Sequence, residues 1–345
     1  MSPLFSIIVP CYNSVRFVES GLKSLIDQTF SDFEVIVVDD GSTDGSGEAI
    51  DGVAATDNRI KCYHKENEGV GKARNYGIGK ACGNYVGFMD IDDLLEKGFL
   101  ETAARIIAQD AAPDLLVFSF FINTGEETET VTLPNEYLAN RKEIASHYTQ
   151  DLFKVRHGNG FPWNKLYKRS LLETHRVRFG TFRVQEDELF NIEFMRHTGN
   201  VAVCDKAFYT YNLNVAGNSR SRYLPNALEI VFAVHQAFVS LKENLQITDA
   251  DFLEHLNNRT FGGVMNWVRQ HAFHKDNPLS DGERKQQLRS LADNGDWQNV
   301  YRSRKRFSVE ERLCVDAIKR CSVLQLRLVV AAYGAVRCAL RRVRR

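Results

Sequence analysis

The sequence lacks several features that would place it in a common class. Its seven cysteines are an odd number without a Cys-x-x-Cys pair, which indicates a reducing compartment and no zinc site of that kind. Lys and Arg together number 44, as do Asp and Glu, so no net positive charge favours nucleic acid. The first apolar run begins by Phe5, which leaves no room for a signal peptide. We therefore expect a cytoplasmic protein that does not bind nucleic acid.

Two phosphate-binding fingerprints are also absent. The chain contains neither GxGxxG, the mark of dinucleotide-binding folds, nor the P-loop pattern GxxxxGK(S/T). Glycines at 69 and 71 nevertheless precede a predicted helix with Lys72 and Arg74 in its first turns. A helix N-terminus with cations suits a diphosphate, although an ordinary solvated helix start has the same pattern.

What the sequence does contain is a regular alternation of strand and helix patterns in its first half. Apolar runs predict strands at residues 5–10, 33–40, 59–64 and 85–89, and amphipathic periodicity predicts helices at residues 15–28 and 44–53. Alternation of this kind indicates an α/β fold with a mostly parallel sheet. In such sheets ligands bind at the carboxyl ends of the strands.

The segment from Tyr85 to Asp93 is the most informative part of the chain. An apolar run there leads directly to three carboxylates, Asp90, Asp92 and Asp93. Carboxylates this close repel one another unless a cation lies between them, so Mg²⁺ or Mn²⁺ is implied, together with a ligand whose phosphates share the ion. The alternative is a solvated acidic turn that caps a helix starting near Leu94.

Polar residues also follow the first two predicted strands. Tyr12 is placed to stack on a nucleobase or sugar, or to pack within the fold. Asp40 is placed to accept a hydrogen bond from the ring N–H of a pyrimidine, or to cap the following turn, a role that Asp39 or Ser42 would fill equally well.

Five motifs in a fixed order resemble the signature of the family 2 glycosyltransferases. They are Pro10-Cys-Tyr-Asn13, Gln28-Thr-Phe30, Val37-Val-Asp-Asp-Gly-Ser-Thr-Asp44, Ala73-Arg-Asn75 and Gly83-Asn-Tyr-Val-Gly-Phe-Met-Asp-Ile-Asp-Asp93. The resemblance implies a GT-A fold, which is a Rossmann-like mixed, mostly parallel sheet with flanking helices. It also implies an enzyme that moves one sugar from a nucleotide-diphosphate donor, with uridine as the expected base, and inverts the anomeric carbon.

The same resemblance implies roles for individual residues. Asp92 is expected to be the principal metal ligand, with Asp90 against the ribose and the metal. The predicted donor site also contains a larger set of residues: Pro10, Tyr12, Asn13, Asp39, Asp40, Lys72, Arg74 and Trp163. The acceptor is expected to be a glycan or lipid-linked glycan in cell-surface polysaccharide or lipopolysaccharide synthesis.

A second acidic group opens a predicted helix at residues 185–196. Acidic residues in a first helical turn favour the helix dipole, so Glu186, Asp187 and Glu188 have a purely structural explanation. Their position resembles the family's Glu-Asp motif, which implies Asp187, with Glu186 beside it, as the general base. One base and one metal suffice for a single displacement, whereas a retaining glycosidase needs a second carboxylate as nucleophile.

We predict a catalytic domain over residues 1–222, with residues 1–110 binding the donor and 111–222 facing the acceptor, and a helical region over 223–345. In the tail, 317–345, eight basic residues fall within an arc of roughly 160° on a helix of about 100° per residue. Such a helix is suited to lie on an anionic membrane surface, which would make the protein peripheral on the cytoplasmic face of the inner membrane, or to pack on the protein body.

Two other functions share parts of this pattern. A nucleotidyltransferase would need a triphosphate loop rich in Gly and Arg near the first strand, and Pro10-Cys-Tyr-Asn13 is not one. A catalytically silent sugar-nucleotide-binding module would be expected to lack Asp92 or Asp187, and both are present.

Overall fold

A computed structural model describes residues 2–109, 112–151, 160–213 and 223–343, with side chains described except at 148–151 and 336–343. The chain forms two compact units. The first comprises Met1–Gly217 and Ser240–Ile247, and the second Asn218–Val239 and Thr248–Arg345. The predicted domain boundary at residue 222 remains a prediction.

One mixed sheet of ten strands forms the centre of the first unit. Its strands are β1 Phe5–Cys11, β2 Phe33–Asp39, β3 Ile60–His64, β4 Tyr85–Phe88, β5 Leu94–Leu95, β6 Leu115–Asn123, β7 Thr128–Val131, β8 Glu136–Leu138, β9 Lys165–Lys168 and β10 Val201–Asn212. The order is β3-β2-β1-β4-β9-β6-β10-β5, with β7 beside β6 and β8 beside β10. The predicted mixed α/β sheet with flanking helices is confirmed.

The first four strands run parallel to one another, which brings their carboxyl ends to one edge. Every residue of β1 and β2 is buried, as expected for parallel strands covered on both faces. Two of the buried polar groups among them satisfy each other, because Ser6 Oγ donates to Glu34 Oε1 at 2.6 Å. Strand β9 lies antiparallel between β4 and β6.

The helices of the first unit flank this sheet, and α1, α2, α3 and α7 begin close to the predicted positions. They are α1 Val15–Ile26, α2 Ser46–Ala54, α3 Val70–Lys80, α4 Phe99–Gln109, α5 Arg141–Asp151, α6 Arg169–Thr174 and α7 Glu186–Met195. The alternative of an acidic turn that caps a helix near Leu94 is wrong about that helix. Leu94 and Leu95 pair with Thr210 and Tyr209 as β5, so α4 starts only at Phe99.

The second unit is helical, as predicted. It contains part of α8 Ala227–Leu245, followed by α9 Ala250–Gln270, α10 Asp281–Asp293, α11 Gly295–Ser303, α12 Val309–Lys319 and α13 Val323–Val343. Trp297, Phe261 and Leu326 are almost fully buried in its core. Within the described residues, no helix is long and apolar enough to cross a membrane.

The tail is not the single helix that the sequence pattern suggested. Helix α12 ends at Lys319, Cys321 has a left-handed backbone (φ 49°), and α13 begins at Val323. The break turns Leu326 into the core of the second unit. Lys319 and Arg320 therefore do not share one helical face with the later arginines, and the predicted arc of eight basic residues is wrong. Arg344 and Arg345 lie outside the described residues.

Candidate active site at the carboxyl edge of the sheet

The ends of β1, β2 and β4 bring three predicted groups of residues to one edge. Cys11 pairs with Asp39 in the β1–β2 register, and the Met89 amide donates to Ile8 O at 3.0 Å. Tyr12 follows β1 and is half exposed, which leaves its ring accessible. Asn13 is in the left-handed region (φ 47°) and accepts a hydrogen bond from the Thr43 amide at 2.8 Å, so it joins the loops after β1 and β2.

Asp39 and Asp40 have different partners. Asp39 accepts from the Ser42 amide at 3.0 Å and lies 2.9 Å from His64 Nδ1, so it is the residue that caps the turn. Asp40 accepts from Lys65 Nζ at 2.7 Å and from the backbone amides of Glu68 and Gly69 at 3.1 and 2.7 Å. A carboxylate has about four acceptor positions, so Asp40 keeps one for a further donor.

The three carboxylates after β4 are not equivalent. Asp93 is 2% exposed and accepts from Tyr209 Oη at 2.6 Å and from the Asn212 amide at 2.8 Å, so it anchors the loop to β10. Burial raises the pKa of Asp93 to about 8. The pKa of Asp92 is also raised, first by burial and then by the negative charge of Asp90. Asp90 and Asp92 are therefore the pair left for a ligand.

This pair fits a divalent cation. Carboxylate oxygens are hard ligands, and Mg²⁺ is commonly held by one or two of them together with waters and substrate phosphates. Among the described residues, no group of three His, Cys, Asp or Glu side chains is arranged to hold a metal by itself. A cation bound by Asp92 and Asp90 would share its remaining positions with the phosphates of a ligand.

Arg74 does not lie at an open helix start. Its side chain is buried, its Nη2 lies 2.8 Å from Asp90 Oδ1, and its Nη1 lies 3.6 Å from Glu186 Oε1. Burial lowers the pKa of Arg74, but the combined effect of the Asp90, Asp187 and Glu186 carboxylates is larger, so the pKa is raised. Lys72, by contrast, is exposed in the first turn of α3. Arg74 thus connects the carboxylates after β4 with those that open α7.

Asp187 lies in the first turn of α7. Burial and then the neighbouring Glu186 raise its pKa to about 7, with Arg74 acting in the opposite direction. Its Oδ1 accepts from the Glu188 amide at 2.9 Å. A carboxylate that titrates near neutral pH suits proton abstraction from a hydroxyl.

Sequence reasoning missed Lys165 in β9. This lysine is 4% exposed, and burial lowers its pKa to about 7 against the effect of Asp187. Its Nζ donates to Phe161 O at 2.6 Å and to Asn164 Oδ1 at 2.8 Å. The signal available in the sequence was a lysine within a short segment of aromatic and apolar residues.

Trp163 lies in the core of the first unit, beneath the edge that carries Asp93. It is 3% exposed and stacks on Tyr209 at 4.4 Å between ring centroids and on Phe161 at 4.8 Å. Packing is therefore the role that the structure gives to Trp163, and its contact with a donor stays a prediction.

Known proteins resemble this chain in both sequence and fold. The sequence profile described as "Glycosyl transferase family 2" matches residues 6–190. In Bacillus subtilis (strain 168), the "Putative glycosyltransferase EpsH" is 32% identical over 257 residues, covering 72% of each chain. The "Uncharacterized glycosyltransferase EpsJ" of the same strain is 33% identical over 254 residues, covering 72% of this chain and 73% of that one.

A solved structure has the same fold over nearly the whole chain. Staphylococcus aureus TarS 1–349, in complex with UDP-GlcNAc, matches with a TM-score of 0.68 and 22% identity, covering 97% of this chain and 92% of that one. A TarS 1–349 structure in complex with UDP matches with a TM-score of 0.66.

Proposed function

Because this chain belongs to glycosyl transferase family 2, and is a glycosyltransferase, we propose that it moves one sugar from a uridine diphosphate donor to an acceptor hydroxyl. The observation that carries the proposal is Arg74, whose side chain connects Asp90 at the predicted donor end with Glu186, the neighbour of the predicted base. The UDP and UDP-GlcNAc complexes of TarS support the choice of donor.

The donor is proposed to bind along the edge of β1, β2 and β4. The exposed ring of Tyr12 provides a surface for the base, and Asp40 has an acceptor position for a ring N–H. Asn13 and Asp39 hold the adjoining loops through hydrogen bonds, and Pro10 lies near the end of β1 opposite Val38. Lys72, exposed on the first turn of α3, supplies a positive charge for the diphosphate.

Asp92 and Asp90 are proposed to hold Mg²⁺ or Mn²⁺. When bound, such an ion stabilises the negative charge that develops on the departing diphosphate. Asp187 removes the proton from the acceptor hydroxyl as that oxygen attacks the anomeric carbon. A single displacement of this kind inverts the configuration, and the site needs no carboxylate nucleophile.

The acceptor is proposed to be a glycan or lipid-linked glycan of the cell surface, by analogy with the bacterial relatives. The two alternatives considered from the sequence, a nucleotidyltransferase and a silent binding module, are not supported, since the family is one of glycosyltransferases. The sequence also lacks the Gln-x-x-Arg-Trp motif of processive synthases, in keeping with transfer of one sugar at a time.

Peripheral membrane attachment is a further part of the proposal. Leu324 and Leu328 lie on the outward face of α13 and are 70% and 63% exposed, while Leu326 between them is buried. No acidic residue follows Asp316 in the sequence, whereas arginines are frequent there. Exposed leucines next to a basic segment suit the surface of an anionic bilayer.

Hydrolysis of UDP-GlcNAc to UDP in the presence of Mn²⁺ tests the central proposal. We expect Asp92→Asn to lower the rate by about 100-fold or more, because it removes a charged ligand of the ion. Asp205→Asn, on an exposed part of β10, is the matched control and should leave the rate unchanged. A panel of nucleotide sugars that yields no hydrolysis and no metal-dependent thermal stabilisation would contradict the proposal.

A further inference from the structure

We propose that Asn75, in α3, is a positioning residue for the catalytic base: its amide fixes the backbone of Phe179 and so the segment that leads into α7. The inference rests on the proposed role of Asp187 as base. The Asn75 side chain forms its hydrogen bonds with the Phe179 backbone and not with Asp187. It acts through a chain of contacts that links α3 to α7.

The first contact is a matched pair of hydrogen bonds. Asn75 Nδ2 donates to Phe179 O at 2.9 Å, and the Phe179 amide donates to Asn75 Oδ1 at 2.8 Å. One side-chain amide thereby satisfies both polar groups of a backbone that belongs to no helix or strand. The two residues are 104 positions apart, so the pair joins separate parts of the chain.

The second contact is a close approach one helical turn earlier. A Cβ placed on Gly71 would lie 3.1 Å from Gly180 O and 3.3 Å from Phe179 Cβ. Gly71 and Asn75 lie four residues apart and therefore on the same face of α3. This face of α3 consequently fits against the backbone of the segment at two points.

The Phe179 side chain extends the contact to α7, which carries Asp187, and to β4, which precedes Asp90. Its ring stacks on Phe190 with centroids 4.0 Å apart and an interplanar angle of 2°, and Phe190 lies three residues after Asp187 in α7. The same ring meets Phe88 edge-on at 5.2 Å, and Phe88 lies two residues before Asp90. Fixing the Phe179 backbone therefore fixes α7 relative to the metal-binding edge.

The end of the segment has a strained backbone that needs such support. Gln185, immediately before α7, has a left-handed conformation with φ 60°. A conformation of this kind is unfavourable in a residue other than glycine and persists only where its surroundings impose it. Without the Asn75 amide, the segment gains freedom to relax and to move Asp187.

The test compares Asn75→Ala with Asn75→Asp in the full chain, using UDP-GlcNAc hydrolysis with Mn²⁺. A shift of the base by about 1 Å reduces the rate by up to about 100-fold. We expect Asn75→Ala to lower kcat by about 10- to 100-fold while Kd for UDP changes by less than about twofold. Asn75→Asp keeps the acceptor for the Phe179 amide but loses the donor, so its loss should be smaller.

Two controls separate positioning from general destabilisation. Asn140→Ala removes a side chain that accepts from the Glu143 amide at 3.1 Å at the start of α5, and should lower stability but not kcat. In an Asp187→Asn background, Asn75→Ala should cause no further loss, because both changes act on one step. Additive losses, or weaker UDP binding with unchanged kcat, would overturn the proposal.

Hydrogen exchange tests the link between α3 and α7 without any enzymatic turnover. Hydrogen exchange of the amides between residues 180 and 190 should become faster in Asn75→Ala and stay unchanged in Asn140→Ala. Unaltered exchange in Asn75→Ala overturns the proposed link. The wild-type protein could also prove inactive on every nucleotide sugar while Asn75→Ala still speeds hydrogen exchange at residues 180–190. That result would refute the proposed function and leave the link between α3 and α7 established.

Discussion

The chemistry of Asp187 depends on its neighbours more than on its place in the sequence. Replacing Asp187 with Asn keeps the shape of the side chain and removes the proton acceptor. General-base catalysis contributes about 10²- to 10⁴-fold, so we expect kcat to fall by that factor while UDP still binds. Glu193→Gln, farther along α7, is the control, since the Glu193 carboxylate accepts from Arg196 and lies beside His197 at the other end of the helix. Retained activity in Asp187→Asn would assign the base elsewhere.

The pH dependence of the rate is a second prediction at this scale. Burial and Glu186 raise the pKa of Asp187 to about 7, and the base acts only when ionised, so kcat should rise with pH through about 7. Glu188 adds to the raising effect and Arg74 opposes it. Glu186→Gln removes a negative charge beside Asp187. The rise of kcat with pH should therefore occur at lower pH in this variant. If kcat rises at the same pH in Glu186→Gln and in the wild-type protein, Glu186 has no influence on the group that titrates.

Some site residues were predictable from sequence and others were not, for a physical reason. Asp40, Asp92 and Asp187 stand at the ends of strands or the start of a helix, so local pattern and motif order locate them. The roles of Asp93 and Arg74 depend on Tyr209 and Glu186, each more than a hundred residues away. Local patterns do not contain such partners, so they could not assign an anchoring role to Asp93.

At the scale of elements, the contact between α1 and the loop after β4 gives a prediction. A Cβ on Gly21 would lie 2.5 Å from the backbone oxygen of Ile91, between Asp90 and Asp92. Gly21→Ala should therefore cost about 1–3 kcal/mol and weaken the binding of UDP with Mn²⁺, as measured by denaturation and calorimetry.

A matched substitution in α2 distinguishes this effect from that of any new methyl group. A Cβ on Gly52 would meet nothing within 4 Å, so Gly52→Ala should stabilise the protein by about 0.4–1 kcal/mol and leave UDP binding unchanged. Equal behaviour of the two variants would mean that the close approach of α1 does not shape the site.

Buried apolar strands such as β1, β2 and β4 were predictable, whereas β5 and β9 were not. The runs that became β1 and β2 are apolar throughout because both faces are covered. Strands β5 and β9 have two and four residues, and they exist because a partner strand accepts their hydrogen bonds. The aromatic segment containing Lys165 therefore gave no strand signal by itself.

At the scale of the whole molecule, the tail gives a prediction about location. Replacing both Leu324 and Leu328 with Gln should release the protein from vesicles that contain phosphatidylglycerol, because it removes the exposed apolar surface of α13. High salt should weaken the binding of the wild-type protein, since anionic lipid attracts the basic tail electrostatically. Sedimentation with vesicles measures both effects.

The control for this prediction lies in the same unit. Val309→Gln on α12 removes an apolar side chain that is 78% exposed but lies outside α13 and has acidic neighbours, Glu310 and Glu311, and should not alter sedimentation. Truncation after Ser322 would be a poor substitute, because it removes the buried Leu326 from the core. Unchanged sedimentation of the double variant would exclude α13 as the membrane-binding element.

The helical nature of the second unit was predictable from periodicity, but the break in its tail was not. Residues 320–322 contain no Pro or Gly to mark a turn. The left-handed Cys321 closes α12, because its amide donates to Ile318 O at 2.9 Å and the Ser322 amide donates to Ala317 O at 2.9 Å.

The anchoring of Asp93 has a consequence for how this family of sequences can change. A single hydroxyl, that of Tyr209, both donates to the Asp93 carboxylate and accepts from the Asp90 amide. A homologue in which Phe replaced Tyr209 would bury the acid at position 93 without its hydrogen-bond donor. A homologue in which both residues were substituted would avoid the cost of burying that unpaired acid. Positions 93 and 209 should therefore vary as a pair among homologous enzymes, even when Asp90 and Asp92 stay the same.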